Sequence, residues 1–356
     1  MPQPFPAAAV PLLLDWYRQN RRDLPWRESR DPYRVLVSEI MLQQTRAETV
    51  KPYFHRFLAT LPTVADLAEA DEATLLKLWE GLGYYSRVRN LQKAARSVME
   101  KHGGDIPADF EALLTLPGVG RYTAGAVASI AFDIPVPAVD GNVLRVMARL
   151  TGDDTDILSP AAKKNAEASL APCVPSPGAG DFTQSLIELG ALVCIPGEPK
   201  CDACPLHLVC EANREGKQAA LPVRLARTKR RVEERTVLIL RFCDEEGTMH
   251  IALRKRPAEG LLGGLYEFPC MDGHADEGDV RTHLSALGMS VATVERLPAA
   301  KHLFSHIEWR MIGYSVALTG VAPREGDCFF AAISELDERY AIPSAYAAYR
   351  GACFTP

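Results

Sequence analysis

No apolar run in the sequence approaches the roughly 20 residues that a membrane span needs. The start, Met1-Pro2-Gln3-Pro4-Phe5, lacks the charged and apolar regions of a signal peptide. The expectation is a soluble, intracellular protein with no membrane partner. An excess of basic charge is also missing. A net charge of −5 argues against a generally basic nucleic-acid coat, so any such binding must rest on a local face and on backbone N–H groups. Disulfide chemistry is disfavoured as well, because nine cysteines in an intracellular chain read better as a metal site plus free thiols. What is present is length and apolar content: 356 residues, 47% of them hydrophobic, can fill two ordinary cores, and two domains are expected.

The chain is organised around Leu116-Pro117-Gly118-Val119-Gly120-Arg121-Tyr122-Thr123-Ala124 and the Asp140 that follows eighteen residues after Tyr122. Pro117 closes the preceding helix, Gly118 and Gly120 permit a tight turn, and a new helix follows, which predicts a hairpin between two helices. Exposed N–H groups at such a helix start suit a phosphate oxygen and carry no base information. A turn that binds nothing is the plain alternative. A dinucleotide fold fits worse, since Thr123 stands where the third glycine belongs and no β-type run precedes the motif. Asp140 stands at the start of an amphipathic helix beginning Gly141-Asn142, where an ordinary N-cap is equally well served.

Asp31-Pro32 predicts a helix start, and Val35 to Thr45 reads as a mostly apolar, buried helix. Glu39 is odd among Val35, Leu36, Val37, Ile40, Met41 and Leu42: burial would raise its pKa and make it a proton donor near neutral pH, unless it lies on an exposed stripe. Pro25 puts Arg27 on a loop. Tyr84 and Tyr85, flanked by glycines and arginines, could stack on bases or simply pack. The first half is read as all helix. A helix from Phe182 to Val193 sets Gln184 and Glu188 on one face.

Cys194, Cys201, Cys204 and Cys210 fall within 17 residues, in a loop that prolines and Gly197 keep compact. Zinc and a [4Fe–4S] cluster both take four cysteinates. Zinc sites usually use two short hooks, and this set has one, so the spacing favours the cluster without excluding zinc. Residues 213–235 lose apolar periodicity and gain Arg224, Arg227, Lys229, Arg230, Arg231 and Arg235, which reads as a linker between a helical domain, 1–212, and a second domain, 236–356. From Thr236 the pattern alternates as strands, giving an α+β fold. Gly260 to Pro269 is similar to the segment before the catalytic helix of Nudix hydrolases, but no R-E-x-x-E-E run follows to hold the metal that pyrophosphate hydrolysis requires. The second domain is expected to bind rather than cut. Phe304-Ser305-His306, on a loop or strand end, could read a nucleobase or be ordinary edge residues.

Taken together, Ser38-Glu39-Ile40-Met41-Leu42-Gln43-Gln44-Thr45, the Leu116 to Ala124 hairpin, Val139-Asp140-Gly141-Asn142, the four-cysteine loop and Phe304-Ser305-His306 closely resemble the MutY family of adenine DNA glycosylases. That family sits in the helix–hairpin–helix, Gly/Pro-rich loop, Asp superfamily with endonuclease III, and the resemblance covers nearly the whole chain. It implies an all-α glycosylase domain carrying a [4Fe–4S] cluster on the four cysteines and a Nudix-like domain that recognises 8-oxoguanine. It implies base excision repair of adenine mispaired with 8-oxoguanine or guanine in double-stranded DNA, by a cytoplasmic, nucleoid-associated, monomeric enzyme of bacterial type. The base must leave the stack before it reacts. By resemblance, Glu39 is the general acid toward adenine N7 and Asp140 stabilises the oxocarbenium-like sugar, a division of labour that glycoside chemistry shares. Tyr122, Asn142, Arg27 and Glu188 surround the pocket, Leu42, Gln44, Thr45, Tyr84, Gly118 and Gly120 meet DNA, and Phe304, Ser305 and His306 meet the lesion. Endonuclease III carries a lysine at the position of Tyr122, whose amine forms a Schiff base with the sugar. Tyrosine cannot, so a monofunctional glycosylase is expected over an oxidised-pyrimidine glycosylase with lyase activity. A non-catalytic cluster-bearing DNA-binding module would not need Glu39 and Asp140, and a Nudix hydrolase would need the missing carboxylates.

Overall fold

In a computed structural model, residues 4–225, 229–319 and 328–354 are described. The chain divides into two compact units: Met1–Ala70 with Ser86–Ala226, and Asp71–Tyr85 with Arg227–Pro356. The sequence boundaries of 212 and 236 differ from this division at both ends of the linker and at residues 71–85. Residues 71–85 join the second unit through Glu80, whose carboxylate accepts from the Ile342 N–H at 3.1 Å and from Arg350 Nη1 at 3.2 Å. Arg231 to Arg235, expected in a linker, are strand, because each residue from Arg231 to Arg241 pairs in parallel with Ile307 to Ala317. Arg227 lies outside the described residues.

The first unit is helical, with no strand among its described residues. Asp31 caps the helix Pro32–Leu42 by accepting from the Arg34 N–H at 2.8 Å, with Pro32 at its first position as the sequence predicted. That helix ends at Leu42 and not at Thr45, since Gln44 turns into left-handed backbone at φ 58°. The helix is buried along nearly its whole length and packs on the helix Arg121–Phe132 that leaves the hairpin. In the hairpin Gly118 has φ 76°, and a Cβ there would sit 2.6 Å from Asn90 Cβ, so both backbone and space demand glycine. The helix Gly141–Thr151 starts with Asp140 as its cap and packs against Ala179–Leu192 so closely that a Cβ on Gly190 would lie 2.7 Å from Asn142 Cβ. Phe5, Leu13, Val146, Phe182 and Leu189 fill the core between them, with Cys194, Cys204 and Cys210 packed against its margin. Among the described residues no helix is long and apolar enough to cross a membrane.

Among the described residues the second unit is built on one mixed sheet of seven strands: β1 Arg231–Cys243, β2 Met249–Lys255, β3 Tyr266–Glu267, β4 Cys270–Asp272, β5 Ser290–Leu303, β6 Ile307–Thr319 and β7 Cys328–Ala332. Its main path runs β3-β2-β1-β6-β5, with β4 on β1 and β7 on β2; the β1–β6 pair is parallel and the other pairs among the described residues are antiparallel. Alternate residues of β1 serve opposite cores: Val237 and Ile239 join Phe268, Trp309 and Tyr346, whereas Leu238 and Leu240 join Val280, Leu284 and Val316. Burial on both faces is why Val237 to Leu240 reads as an unbroken apolar run.

Candidate active site

A cleft of about 1240 Å³ opens in the first unit. Glu39, Tyr122, Asp140 and Asn142 all line it, together with Arg27, Leu42, Gln44, Thr45, Gly118 and Gly120. The Pro32–Leu42 helix delivers Glu39 among apolar neighbours, where it is 5% exposed, so the exposed-stripe alternative is excluded. The Tyr122 hydroxyl donates to Glu39 Oε2 at 2.6 Å. Burial pushes the Glu39 carboxyl up to about 7; the Tyr122 hydrogen bond opposes this, and the nearby charge of Asp140 adds to it. Burial likewise holds the Tyr122 phenol well above its ordinary value.

Asp140 caps its helix by accepting from the Val143 N–H at 2.7 Å, and its other oxygen accepts from the Asn142 amide at 3.0 Å. A helix N-terminus favours the anion of a carboxylate placed there. Burial outweighs the donors and raises it from its ordinary value, while Val143, Asn142 and the Arg145 charge pull it back. The two carboxylates therefore shift in the same direction, and Glu39, with a single phenol as donor, is the one carried to about 7. Arg145 is buried behind this pair, donating to Asn142 Oδ1 at 2.9 Å and to the carbonyls of Gly190 and Cys194 at 2.7 and 2.8 Å.

Glu188 lies one layer behind the cleft and is fully buried. Arg27 grips both its oxygens, at 3.1 and 3.0 Å, and so does Arg22, at 3.0 and 2.8 Å, with the Arg22 N–H adding a further bond at 2.8 Å. Burial alone would raise the Glu188 carboxyl; the guanidinium groups of Arg22 and Arg27 hold it down at about 2. Arg22 lines the cleft yet escapes the sequence reading, because Arg21-Arg22 looks like a solvated charge run and its partner is 166 residues away. The available signal was Glu188 itself, a carboxylate between Phe182, Leu186 and Leu189 that requires a cation.

The four loop cysteines do not reach this cleft. They line a separate cavity of about 30 Å³, where Arg149 Nη1 lies 3.4 Å from Cys194 Sγ. Among the described residues, no group of three or more His, Cys, Asp or Glu side chains is arranged to hold a single metal ion. The remaining sequence candidates belong to the second unit. Phe304 to His306 form the tip of the β5–β6 hairpin, closed by the Phe304 N–H to the Ile307 carbonyl at 2.8 Å. Phe304 packs against Trp309 with ring centroids 4.8 Å apart, and Ser305 and His306 are exposed. Tyr84, at φ 49° and 46% exposed, has its hydroxyl 3.1 Å from Ser305 Oγ, while Tyr85 is buried.

Comparison with known proteins agrees with this layout. Residues 37–173 match the HhH-GPD superfamily base excision DNA repair protein family, and residues 236–350 match the NUDIX domain. The adenine DNA glycosylase of Rattus norvegicus is 36% identical over 364 residues, 87% of this chain and 70% of the relative. That of Homo sapiens is 36% identical over 369 residues, 87% and 67%, and one from Buchnera aphidicola is 31% identical over 299 residues, 83% and 82%. Among solved structures, a thermostable thymine-DNA glycosylase aligns at TM-score 0.54 and 32% identity over 58% of this chain and 96% of that one. A trapped endonuclease III–DNA covalent intermediate aligns at TM-score 0.50 and 27% identity over 59% and 98%. Matches of this extent set aside the oxidised-pyrimidine alternative and the non-catalytic one: this chain belongs to the adenine DNA glycosylases, DNA-binding enzymes of base excision repair.

Proposed function

We propose that the enzyme acts on adenine opposite 8-oxoguanine or guanine, hydrolysing the N-glycosidic bond without cutting the strand. The observation that carries the mechanism is the burial of Glu39, 5% exposed, in a cleft that Asp140 also lines. A buried carboxyl raised to about 7 still holds its proton near neutral pH and can give it to N7 of an extruded adenine. The C1′–N9 bond then breaks with its electron pair passing to the protonated base. Asp140, held by the Val143 and Asn142 donors, faces the positive charge that develops on the sugar, and water supplies the new oxygen at C1′. Tyr122 has no amine, so no Schiff base forms at its position. Arg22 and Arg27, fixed on Glu188, shape the pocket wall, and the uncapped helix start after Gly120 suits a DNA phosphate. An adenine released from an A:8-oxoguanine duplex, with the strand left intact, is the expected product; strand cleavage through a borohydride-trappable adduct would overturn the monofunctional reading.

Cys194, Cys201, Cys204 and Cys210 would hold a [4Fe–4S] cluster, since an all-sulfur donor set facing one cavity suits soft metal centres and Arg149 beside Cys194 offsets the charge of thiolates. Bound there, the cluster supplies a cross-link for the loop and no reacting group. Broad visible absorption with four irons per chain is expected; a colourless, zinc-loaded and active protein would refute it. Phe304, Ser305 and His306 read the lesion, supported by the exposed Ser305 hydroxyl standing beside that of Tyr84. The enzyme acts as a cytoplasmic monomer.

A further inference from the structure

The helix that carries Glu39 ends at Leu42, one turn later, and the last carbonyls of a helix have no partner within it. The Leu42 carbonyl accepts from the Thr45 N–H at 3.2 Å. The neighbouring carbonyls go to one side chain. Arg87, in the first turn of the helix Ser86–His102 and 8% exposed, donates from Nη1 to the carbonyls of Ile40, Met41 and Gln43 at 3.0, 2.9 and 2.5 Å. Its Nη2 donates to Thr45 Oγ1 at 3.3 Å. The guanidinium thus grips the turn on both sides of Gln44. Gln44 is itself exposed on the cleft wall and sits at φ 58°, a left-handed conformation that a non-glycine residue keeps only when its surroundings impose it.

We propose that Arg87 is a positioning residue for this reaction: it holds the Gln43–Thr45 turn in the conformation that presents Gln44 to the duplex, and it governs adenine excision through Gln44 without touching DNA. The proposal rests on the reading that Gln44 meets DNA in this cleft. Charge alone does not serve the role. A planar fork reaches both ends of the turn at once, whereas a lysine ammonium is a single point on a flexible stem. A displacement of the presented group by about 1 Å is enough to cost on the order of a hundredfold in rate.

The test is a double-mutant cycle with Arg87→Lys and Gln44→Ala, read as single-turnover adenine release from A:G and from A:8-oxoguanine duplexes, with melting temperatures measured alongside. Arg87→Lys is expected to fold and to lose about tenfold or more in rate. Added to Gln44→Ala it should cost less than about twofold further, because the two changes remove one interaction. The alkaline limb of the pH–rate profile should stay in place, since the clamp holds backbone carbonyls whereas the Glu39 carboxyl is set by burial, Tyr122, Asp140 and Arg27. Losses that multiply, a wild-type rate for Arg87→Lys, or a displaced alkaline limb would each overturn the proposal. If Arg87→Lys does not fold, Thr45→Val removes the Nη2 bond of the clamp together with the Thr45 Oγ1 bond to the Gln43 carbonyl, and is judged by the same three outcomes. The rate ratio of the two duplexes in the unmodified enzyme tests the lesion reading separately, and the cycle on the A:G duplex is decisive whichever way that ratio falls.

Discussion

Glu39 lines the cleft and Glu188 lies one layer behind it; both are buried, and they end at opposite extremes. One is pushed up to about 7 and the other held at about 2. Burial works upward on both; what differs is the partner. A phenol offers Glu39 one neutral donor, which cannot offset the lost hydration of a carboxylate. Two guanidinium groups offer Glu188 both charge and a set of fitted donors. Depth inside the protein thus sets how strongly a neighbour counts, and the neighbour decides whether a glutamate is a proton donor or a fixed anion.

The largest effect that would break this contrast is at Glu39. Glu39→Gln keeps the shape and loses the proton, so single-turnover adenine release should fall by about 10²–10⁴-fold with duplex affinity retained; release at the original rate would end the mechanism. Asp140→Asn should cripple the same step. At Glu188 the cost is structural. Glu188→Gln leaves Arg22 and Arg27 facing no anion, and denaturant unfolding should report a loss on the order of 3 kcal/mol. An unchanged stability would mean that water already satisfies both guanidinium groups.

The pH dependences should run in opposite directions. Glu39 binds its proton more tightly in the folded state, so its contribution to stability is full below its unfolded value of 4.5 and is lost as pH rises through about 7. Glu188 is lowered, so its contribution is present above 4.5 and lost as pH falls toward about 2. The excision rate should fall with rising pH around 7. Tyr122→Phe removes a hydrogen bond that lowers Glu39, so the alkaline limb should move to higher pH while glycosidic cleavage survives. A limb that moved down would show that the phenol favours the acid form. The smallest effect belongs to the exposed hairpin. Ser305→Ala with His306→Ala should narrow the preference for 8-oxoguanine over guanine by about 1–3 kcal/mol per lost contact at most, and an unchanged preference would remove the hairpin from recognition.

Much of this was legible in the residues. A glutamate set among Val35, Leu36, Ile40 and Met41 announces its own desolvation, and Asp31-Pro32 announces the helix start. Asp140 at the head of an amphipathic helix could be placed, though not the balance between burial and its donors, which depends on how Gly190 lets a second helix close over Asn142. The end of the Glu39 helix was hidden because a left-handed Gln44 carries no glycine to mark it, and its cause, Arg87, lies forty-three residues further on. Arg22 was hidden for the same reason: long-range ion pairs leave no local pattern.

The attachment of residues 71–85 to the sheet-bearing unit has a consequence in time. Glu80 is made 262 residues before its partner Ile342, and Arg350 follows later still. At synthesis rates of about 5–20 residues per second, that interval is on the order of tens of seconds. Throughout it, a segment that interrupts the sequence of the helical unit must wait for its neighbours while the residues before and after it in the chain can already pack. A chain halted before residue 227 would keep Glu39 and Asp140 yet hold Glu80 without Ile342 or Arg350, so removing residues 227–356 also strips a stretch of the first two hundred residues of its partners.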